Sequence, residues 1–299
     1  MDTSSQLCST HDLRSPGVKK RVLIITGATS GIGYETALLF IRKGWVVYAC
    51  GRNRDKLETL RAKGAEVRAF DLADQSAAEG FMEEILKKEK GVDLLVNNAG
   101  YGLYGSVEEV SPRAARHQFE INLFAAARLI QLVLPLMRKQ RQGRIINISS
   151  MAGVISFPMG GWYHASKFAM EGFSDCLRQE VAPFGIRVIL VEPGAVRTQW
   201  PEAALREMEE RSGQGSYDKT ARDMGLLFRK FYKTGTTSEK VAALIWKAAV
   251  SRCPRRRYAS PAHSAVFMGF RRLIGAWLWD RSVALALRLA GEKKVKGKS

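Results

Sequence analysis

Short apolar runs alternate with stretches of helical periodicity from residue 21 onward. The first run, RVLIIT at 21–26, is too short and too rich in β-branched residues for a helix and predicts a strand. Further runs predict strands at 45–50, 66–70, 92–96, 144–149, 186–191 and 256–260. Helical patterns predict helices at 33–44, 75–90, 113–142, 163–181 and 239–250. Pro135 is expected to kink the third of these helices.

Strands that alternate with helices predict a parallel sheet, because parallel neighbours need a crossover connection. Right-handed crossovers place helices on both faces of that sheet. The pattern therefore predicts an α/β fold of the Rossmann type, with a doubly wound, parallel, seven-stranded sheet. Its ligand crevice is expected at the carboxyl ends of the strands, near the point where the strand order reverses.

This organisation divides the chain into three parts. Residues 1–18 lack the apolar core of a secretory signal and are predicted to be a flexible leader. Residues 19–260 form the predicted α/β domain. Within it, residues 196–237 are polar, glycine-containing and irregular, which is typical of a lid over the crevice. Residues 261–299 form a basic, amphipathic C-terminal extension.

The net charge of +18 is concentrated near the C-terminus. Between Arg252 and Ser299, twelve Lys or Arg residues stand against Asp280 and Glu292, so ten of the eighteen excess charges lie in the last sixth of the chain. A net charge of this size gives information about solubility and binding partners and not about the fold. No nucleic-acid-binding motif accompanies it, so no nucleic-acid partner is expected.

The extension is apolar as well as basic. Arg271-Arg272 and Asp280-Arg281 interrupt its apolar stretches, and no run reaches the roughly 18 apolar residues of a membrane span. Residues 261–299 therefore predict peripheral binding to an anionic membrane surface. The aromatic residues expected to insert are Phe267, Phe270, Trp277 and Trp279. The alternative is that this segment packs on the domain or forms a dimer contact.

The four cysteines, Cys8, Cys50, Cys176 and Cys253, are far apart in sequence and have no metal-ligand spacing. The four histidines are scattered as well. We therefore expect reduced thiols in a cytoplasmic protein and no metal site.

A glycine-rich turn follows the first strand. It reads Thr26-Gly27-Ala28-Thr29-Ser30-Gly31-Ile32-Gly33, and an amphipathic helix comes directly after it. Glycines allow positive φ and a close backbone approach, while the amides and the dipole of a helix N-terminus favour a phosphate. The strand before and the helix after favour a pyrophosphate-binding turn over an ordinary tight turn.

The spacing of this turn, T-G-x-x-x-G-x-G, resembles that of the short-chain dehydrogenase/reductase family, and the resemblance covers residues 20–260. Further family motifs follow in order at Asp71-Leu72, Asn97-Asn98-Ala99-Gly100, Asn122, Ser150, Tyr163 to Lys167 and Pro193-Gly194. The resemblance implies an adenine contact at Asp71-Leu72 and a contact of Thr198 with the nicotinamide carboxamide. The chain looks most like the branch that contains 17β-hydroxysteroid dehydrogenases, retinol dehydrogenases and acyl-dihydroxyacetone-phosphate reductase.

A catalytic set is expected around Tyr163 and Lys167, which are four residues apart and therefore on one helical face. Carbonyl reduction needs a hydride from the cofactor and a proton from a side chain. A nearby cation lowers the pKa of a phenol, so Lys167 can activate Tyr163 as general acid/base. By resemblance, Ser150 hydrogen-bonds the substrate oxygen, Lys167 also holds the nicotinamide ribose, and Asn122 extends a proton relay to Lys167. The neighbouring Ser149 is expected to point elsewhere.

The predicted cofactor is NADP(H) rather than NAD(H). The second strand ends without the acidic residue that would bind the ribose of NAD, and Arg52 stands there to clamp a 2′-phosphate. Ser30 departs from the basic residue that many NADP-using relatives have just before Gly31. The complete predicted cofactor site comprises Thr26, Gly27, Thr29, Ser30, Gly31, Ile32, Gly33, Arg52, Asp71, Leu72, Asn98, Ala99, Gly100, Tyr163, Lys167, Pro193, Gly194, Val196 and Thr198.

The predicted substrate is lipophilic, such as a steroid, a retinoid or an acyl-ketone lipid, and it contacts Ser150 and Tyr163. The segment 151–159 is apolar, and Trp162 and Trp200 add to this character. The implied activity is the interconversion of a hydroxyl and a ketone or aldehyde.

Two further expectations follow from the resemblance. Relatives commonly pair the helices that correspond to 113–140 and 163–181, so a homodimer or homotetramer is expected. The alternative to an enzyme is a non-catalytic NAD(P)-binding regulatory or membrane-associated interaction protein of the same fold.

Overall fold

The computed structural model describes residues 20–198 and 200–295, so the predicted leader at 1–18 lies outside the described residues. Within them, the sheet has seven strands: β1 (Val22–Thr26), β2 (Val46–Gly51), β3 (Glu66–Ala69), β4 (Leu94–Asn97), β5 (Gly143–Ile148), β6 (Ile186–Pro193) and β7 (Arg257–Ser260). All neighbouring strands are parallel, in the order β3-β2-β1-β4-β5-β6-β7. The predicted doubly wound, seven-stranded α/β fold is therefore confirmed.

Helices connect the strands and extend beyond the last one. They are α1 (Gly31–Arg42), α2 (Arg54–Arg61), α3 (Gln75–Lys88), α4 (Pro112–Phe119), α5 (Ala125–Gln140), α6 (Gly161–Val181), α7 (Trp200–Ser212), α8 (Asp218–Lys233), α9 (Ser238–Val250), α10 (Ala262–Leu273) and α11 (Ala276–Val295). A π-helical turn, Glu120–Phe124, lies between α4 and α5. The sequence pattern does not predict α2, whose eight residues are mostly exposed.

The sheet is buried on both faces, as is usual for parallel strands. Along β1, Val22 and Ile24 face the layer of α3, α5 and α6, whereas Leu23 and Ile25 face α1, α2 and α9. The strand order reverses at β1, whose neighbours are β2 and β4. The crevice between the carboxyl ends of β1 and β4 is therefore the expected ligand site.

The lid segment forms two helices, α7 and α8, so the prediction of an irregular segment at 196–237 is wrong. Its apolar residues recur at helical spacing, and Leu205 and Met208 of α7 join a buried cluster with Ala221 and Met224 of α8. Packing of these side chains stabilises helices that a polar composition does not predict.

Helix α4, the π-helical turn and α5 form one continuous segment of 29 residues, Pro112–Gln140. It is the one helix of the described chain that is long and apolar enough to cross a membrane. In the fold the apolar side of this segment packs into the core, because Leu129 and Met137 are buried in the cluster under β4 and β5. Helix α5 continues through Pro135, and the irregular turn lies earlier, at Glu120–Phe124.

The C-terminal extension packs on the domain through α10 and α11, which is one of the two alternatives that the sequence leaves open. Met268 and Trp279 are buried in a cluster with Met151 and Ile155. The indole Nε1 of Trp279 also donates a hydrogen bond of 3.0 Å to the carbonyl of Ser156. The prediction that Trp279 inserts into a membrane is therefore wrong, since only 2% of this residue is exposed.

The cysteines follow the expectation only in part. Cys50 and Cys176 are free thiols, while Cys253 is disulfide-bonded, contrary to the expectation of reduced thiols. Cys8 lies outside the described residues. In the part of the chain that the structure describes, no cluster of three His, Cys, Asp or Glu side chains is arranged to hold a metal ion.

A partly buried ion cluster joins α6, β6, β7 and α10. Arg257 of β7 contacts Glu171 of α6 at 3.1 Å and Glu192 of β6 at 3.3 Å. It also contacts Asp175 at 2.7 Å. From the extension, Arg272 of α10 lies 3.8 Å from Glu192. Burial raises the pKa of Glu171, and it raises the pKa of Glu192 to about 7, where the neighbouring Glu171 charge adds to the effect.

Folding stability is expected to depend on pH through Glu192. Its pKa is about 7 in the fold against an ordinary value of 4.5, so the folded chain binds the proton more tightly than the unfolded chain does. This contribution to stability is complete below the ordinary pKa and is lost as the pH rises through the folded pKa. Glu192→Gln carries no titrating group at this position and should not show this loss. The free energy of unfolding of the variant should therefore rise by about 1–3 kcal/mol relative to that of wild type between about pH 5 and about pH 8.

Urea unfolding at several pH values measures this difference. Glu180→Gln, which changes an exposed carboxylate on the neighbouring helix α6, is the matched control. Curves of unfolding free energy against pH that stay parallel for Glu192→Gln and wild type would contradict the assignment.

Candidate active site

A cavity of about 1570 Å³ lies at the carboxyl ends of the strands, beside the reversal of strand order at β1 and β4. The predicted site residues that line it are Gly27, Thr29, Ser30, Gly31, Ile32, Arg52, Asp71, Leu72, Asn98, Ala99, Gly100, Ser150, Tyr163, Lys167, Pro193, Gly194, Val196 and Thr198. Thr26, Gly33 and Asn122 do not line it, but they contact residues that do.

The turn between β1 and α1 has the backbone shape that its glycines permit. Gly27 and Gly31 have φ angles of +64° and +52°, in the left-handed region that favours glycine. A Cβ on Gly33 would lie 2.3 Å from the carbonyl oxygen of Gly27, so this position has no room for a side chain. Ser30 precedes α1, and its hydroxyl makes no capping hydrogen bond. The first amides of α1 therefore lie beside the cavity without a side-chain cap, which fits a bound pyrophosphate.

Hydrogen bonds between the ends of β1 and β4 hold this turn in place. The side-chain amide of Asn98 donates to the carbonyls of Thr26 and Gly27, both at 3.0 Å. In return, the hydroxyl of Thr26 accepts from the backbone N–H groups of Asn98 and Ala99, at 3.1 and 3.0 Å. Thr26 thus supports the site from behind and does not line the cavity.

Arg52 follows β2 and lies on the rim of the cavity. Its side chain is 79% exposed, and its Nη1 atom lies 4.0 Å from the carboxylate of Asp71. An exposed guanidinium with one distant carboxylate partner is available to bind an anionic group of a ligand.

Ser150, Tyr163 and Lys167 are buried together in the wall of the cavity. Tyr163 and Lys167 lie one turn apart on α6. Ser150 begins a short 3-10 turn, where its hydroxyl accepts from the Ala152 N–H at 3.1 Å. The Nζ atom of Lys167 donates to the carbonyl of Ile148 at 2.9 Å. The end of β5 and the first turns of α6 therefore position the three side chains.

Burial dominates the electrostatics of this group. It raises the pKa of Tyr163, and a hydrogen bond with Ser150 opposes the rise. It lowers the pKa of Lys167 to about 8, and the carboxylate of Glu171 opposes the fall. The sequence predicts that Lys167 lowers the pKa of Tyr163, whereas in the structure the loss of solvent outweighs other influences and the pKa is raised.

Asn122 lies in the π-helical turn, a distortion often found at functional sites. Its side-chain amide donates to the carbonyl of Tyr101 at 3.0 Å and to the hydroxyl of Ser166 at 2.9 Å. It also accepts from the Tyr101 N–H at 3.0 Å. The side chain of Asn122 therefore connects the loop after β4 to Ser166 of α6, which is next to Lys167 in sequence.

Ser149, expected to point elsewhere, has its hydroxyl beside the carboxyl of Glu171.

One part of the remaining cavity wall is apolar and aromatic, and we refer to it as the apolar wall. It consists of Tyr104, Phe157, Met224, Leu227, Phe228, Phe231, Tyr232 and Phe267. These residues come from the loop after β4, the segment before α6, helix α8 and the C-terminal helix α10. The sequence predicts the contribution of 151–159 but misses the other members, for which the only signal is the helical spacing along α8.

Of the two tryptophans expected near the substrate, only Trp162 has a described side chain, and it does not belong to the apolar wall. Trp162 packs with Leu103 and Val110 and does not line the cavity. The side chain of Trp200 lies outside the described residues.

His164 holds the segment that precedes α6. Its Nδ1 atom lies 3.1 Å from the carbonyl of Ala152, and its Nε2 atom accepts from the Phe157 N–H at 3.2 Å. Burial lowers the pKa of His164, so the ring is neutral and Nδ1 carries the donated proton. The sequence offers no signal for this role beyond the position next to Tyr163.

Comparisons with known proteins agree with this geometry. Residues 21–209 match the family model described as short chain dehydrogenase. The chain is 33% identical to a 3-ketodihydrosphingosine reductase of Bacteroides thetaiotaomicron, over 91% of this chain and 98% of the relative. It is 34% identical to an NADPH-dependent 3-dehydrocapnine reductase of Ornithobacterium rhinotracheale, over 87% and 95% of the two chains.

A solved structure extends the likeness to the fold. The crystal structure of a short-chain dehydrogenase from Streptomyces avermitilis superimposes with a TM-score of 0.76 at 30% identity, over 95% of this chain and 100% of that one. The resemblance predicted from the motifs is thereby confirmed. The chain belongs to the short-chain dehydrogenase/reductase family and is a nicotinamide-dependent oxidoreductase that acts on hydroxyl and keto groups.

Proposed function

We propose that this enzyme uses NADP(H) to interconvert a ketone and a hydroxyl on a lipophilic substrate, with Tyr163 as general acid/base. The observation that carries the proposal is the burial of Ser150, Tyr163 and Lys167 together, between the glycine-rich turn and the apolar wall. The proposed sites for the pyrophosphate, for proton transfer and for the lipophilic part of the substrate thus lie in a single cavity.

Tyr163 is the proposed proton donor. The bound nicotinamide supplies the hydride. Tyr163 gives its proton to the carbonyl oxygen, and the hydroxyl of Ser150 hydrogen-bonds the same oxygen while negative charge develops there. Because burial raises the pKa of Tyr163, the phenol is protonated near neutral pH, which is the form that reduction requires.

Lys167 is the proposed partner of the phenolate that proton transfer leaves behind. Its ammonium group lies one helical turn from Tyr163, and a pKa of about 8 keeps it mostly protonated at neutral pH. It is also the proposed ligand of the nicotinamide ribose. Asn122 orders the backbone at Tyr101 and the hydroxyl of Ser166, and it is the proposed next member of the proton relay.

The proposed cofactor is NADP(H) in preference to NAD(H). Arg52 offers an exposed guanidinium, 4.0 Å from the carboxylate of Asp71, at the rim where the adenosine ribose would lie, and no acidic residue ends β2. The second relative named above is described as NADPH-dependent, which supports the same choice.

The proposed substrate is a keto lipid. The apolar wall favours a substrate with a hydrocarbon part, because its residues on α8 and α10 are aromatic or aliphatic. Of the steroid, retinoid and acyl-ketone classes, the keto-lipid class is favoured by the names of the two relatives, a 3-ketodihydrosphingosine reductase and a 3-dehydrocapnine reductase.

An anionic membrane surface is the proposed partner of the C-terminal helices. Six of their exposed apolar residues, here called the tail face, are Val266, Phe267, Phe270, Leu273, Trp277 and Leu278. Leu273 and Trp277 are 87% and 64% exposed, and the guanidinium of Arg281 lies over the Trp277 ring. Phe267 belongs to the tail face and to the cavity wall alike, so the tail face borders an entrance to the cavity. We propose a cytoplasmic enzyme that binds membranes peripherally at this face.

A homodimer or homotetramer is the proposed assembly. Phe124 at the start of α5 and Phe168 on α6 are 54% and 45% exposed, which offers apolar surface to a second copy on the helices expected to pair. No observation favours the alternative of a non-catalytic NAD(P)-binding protein.

Tyr163→Phe should reduce the turnover of any ketone substrate by about 10²–10⁴-fold, because it deletes the proton donor and keeps the ring. Binding of NADPH, followed by fluorescence, should change little. Tyr217→Phe is the matched control, since the Tyr217 hydroxyl bonds Glu108 at the surface. Turnover of Tyr163→Phe at the wild-type rate would remove this residue from the mechanism.

Arg52→Asp should reverse the cofactor preference, because the carboxylate repels a 2′-phosphate and accepts ribose hydroxyls. The ratio of kcat/KM for NADPH to that for NADH should fall by about 100-fold or more. Lys63→Asp makes the same change of charge at an exposed site beyond α2 and controls for net charge. An equal preference in the unmodified enzyme would contradict the role of Arg52.

Leu273→Glu combined with Trp277→Glu should abolish most binding to vesicles that contain phosphatidylglycerol, because each exposed side chain contributes about 1.5–3 kcal/mol on burial in lipid. Co-sedimentation measures the binding, and a thermal melt should show an intact fold. Truncation is a weaker test, since Met268 and Trp279 belong to the core. Val250→Glu, at another exposed apolar position, is the control. Undiminished vesicle binding by the double variant would rule out the tail face.

A further inference from the structure

The peptide group between Ser156 and Phe157, in the segment before α6, is held at both of its polar ends. Its carbonyl oxygen, that of Ser156, accepts a hydrogen bond of 3.0 Å from the indole Nε1 of Trp279. Its N–H group, that of Phe157, donates a hydrogen bond of 3.2 Å to Nε2 of His164. Trp279 belongs to α11 and His164 to α6, so two elements far apart in the chain hold one peptide group.

The two side chains that hold this peptide group have further contacts of their own. His164 is buried, and its Nδ1 atom lies 3.1 Å from the carbonyl of Ala152, which leaves Nε2 as the acceptor. A Cβ on Gly160 would lie 2.9 Å from Cδ2 of His164, so the chain packs closely against the ring. Trp279 is buried as well, and the guanidinium of Arg271 lies 5.7 Å from the centre of its ring. Both side chains are therefore fixed from more than one side.

The side chain attached to this peptide group, Phe157, belongs to the apolar wall. Phe157 packs against the buried cluster that contains Tyr163 and Met224, and also against the cluster that contains Met268 and Trp279. Its ring lies 5.7 Å from the ring of Trp279, in centroid distance. Phe157 is therefore a point at which the C-terminal extension meets the wall of the cavity.

Neither His164 nor Trp279 has a step in the proposed proton transfer, and Trp279 does not line the cavity. We propose that both are positioning residues for substrate specificity: by holding the peptide group between Ser156 and Phe157, they fix Phe157 as a surface that binds the hydrocarbon part of the substrate. The inference deepens the proposed function and rests on it. It makes the C-terminal extension a determinant of specificity, because a wall residue that must be ordered on binding contributes less affinity than one that is already fixed.

Two methyl ketones that differ in chain length, decan-2-one and butan-2-one, test the role of Trp279. The readout is the ratio of kcat/KM for decan-2-one to kcat/KM for butan-2-one, with NADPH. Trp279→Phe keeps a ring and deletes the N–H donor, so it should lower this ratio about three- to tenfold, mainly through a higher KM for decan-2-one. Trp162→Phe is the matched control, since the Trp162 indole N–H has no hydrogen-bond partner among the described residues. An unchanged ratio in Trp279→Phe, including an equal loss on both ketones, would overturn the proposal.

Two variants of His164 test the other end of the peptide group. An Asn amide can take the place of Nδ1 and a Gln amide that of Nε2, and each amide can donate and accept. His164→Asn should therefore lower the ratio about as much as Trp279→Phe does, whereas His164→Gln should keep a ratio closer to that of wild type. Equal ratios in the two variants would remove His164 from the proposal.

A double variant tests whether Trp279 acts through Phe157. Phe157→Ala should itself lower the ratio by about tenfold, because it removes the proposed contact with the hydrocarbon part. In that background Trp279→Phe should lower the ratio little further, since the side chain that Trp279 positions is gone. Effects that add in full would contradict a role through Phe157.

A binding measurement separates this inference from the proposed reaction. In Tyr163→Phe with NADPH bound, calorimetry gives the dissociation constants of both ketones without turnover. Decan-2-one should bind more tightly than butan-2-one, and the addition of Trp279→Phe should reduce that advantage about three- to tenfold. This result in an enzyme that reduces neither ketone would overturn the proposed reaction and keep the role of Trp279. An advantage that Trp279→Phe leaves intact, in an enzyme that reduces both ketones, would overturn the inference and keep the reaction.

Discussion

The hydrogen bonds between Thr26 and Asn98 join the two strands at which the order of the sheet reverses. They hold the backbone after β1 against the backbone after β4, so Gly27 can take its positive φ and α1 can begin beside the cavity. Gly33 depends on the same contact, because a side chain there would strike the Gly27 carbonyl and the Asn98 amide. Since parallel strands all end at this edge, the segments after β5 and β6 reach the same cavity.

Helix α6 connects this edge to the charges behind it. Tyr163 and Lys167 face the cavity, while Glu171, one turn further, joins the ion cluster with Arg257. A buried ammonium group is costly unless a partner offsets the cost, and Glu171 provides part of that compensation. Arg257 in turn balances Glu171 and Glu192, so the charge of Lys167 depends on residues of β6 and β7.

The C-terminal helices have one apolar side that packs on the domain and another that is exposed. One side, with Met268 and Trp279, completes the core over Met151 and Ile155. The other side remains exposed and includes Phe267, which also lines the cavity. The proposed membrane binding would therefore bring the bilayer surface next to the cavity wall.

Much of this organisation is determined by sequence alone. The alternation of strands and helices, together with right-handed crossovers, predicts a doubly wound, parallel, seven-stranded sheet with its ligand site at the carboxyl ends of the strands, and the structure has that sheet. The spacing of Tyr163 and Lys167 and the glycines of the first turn identify the candidate site, because these signals lie within short stretches of chain.

Tertiary structure decided what depends on contacts between distant residues. The helices of 196–237 form because their apolar residues meet one another, and Trp279 is buried because it meets the loop at Ser156. The raised pKa of Tyr163 and the partnership of Glu171 with Arg257 arise from burial, which no local pattern of residues encodes. Local periodicity therefore specifies the scaffold, whereas the electrostatics of the site and the wall that faces the substrate come from packing between elements far apart in the chain.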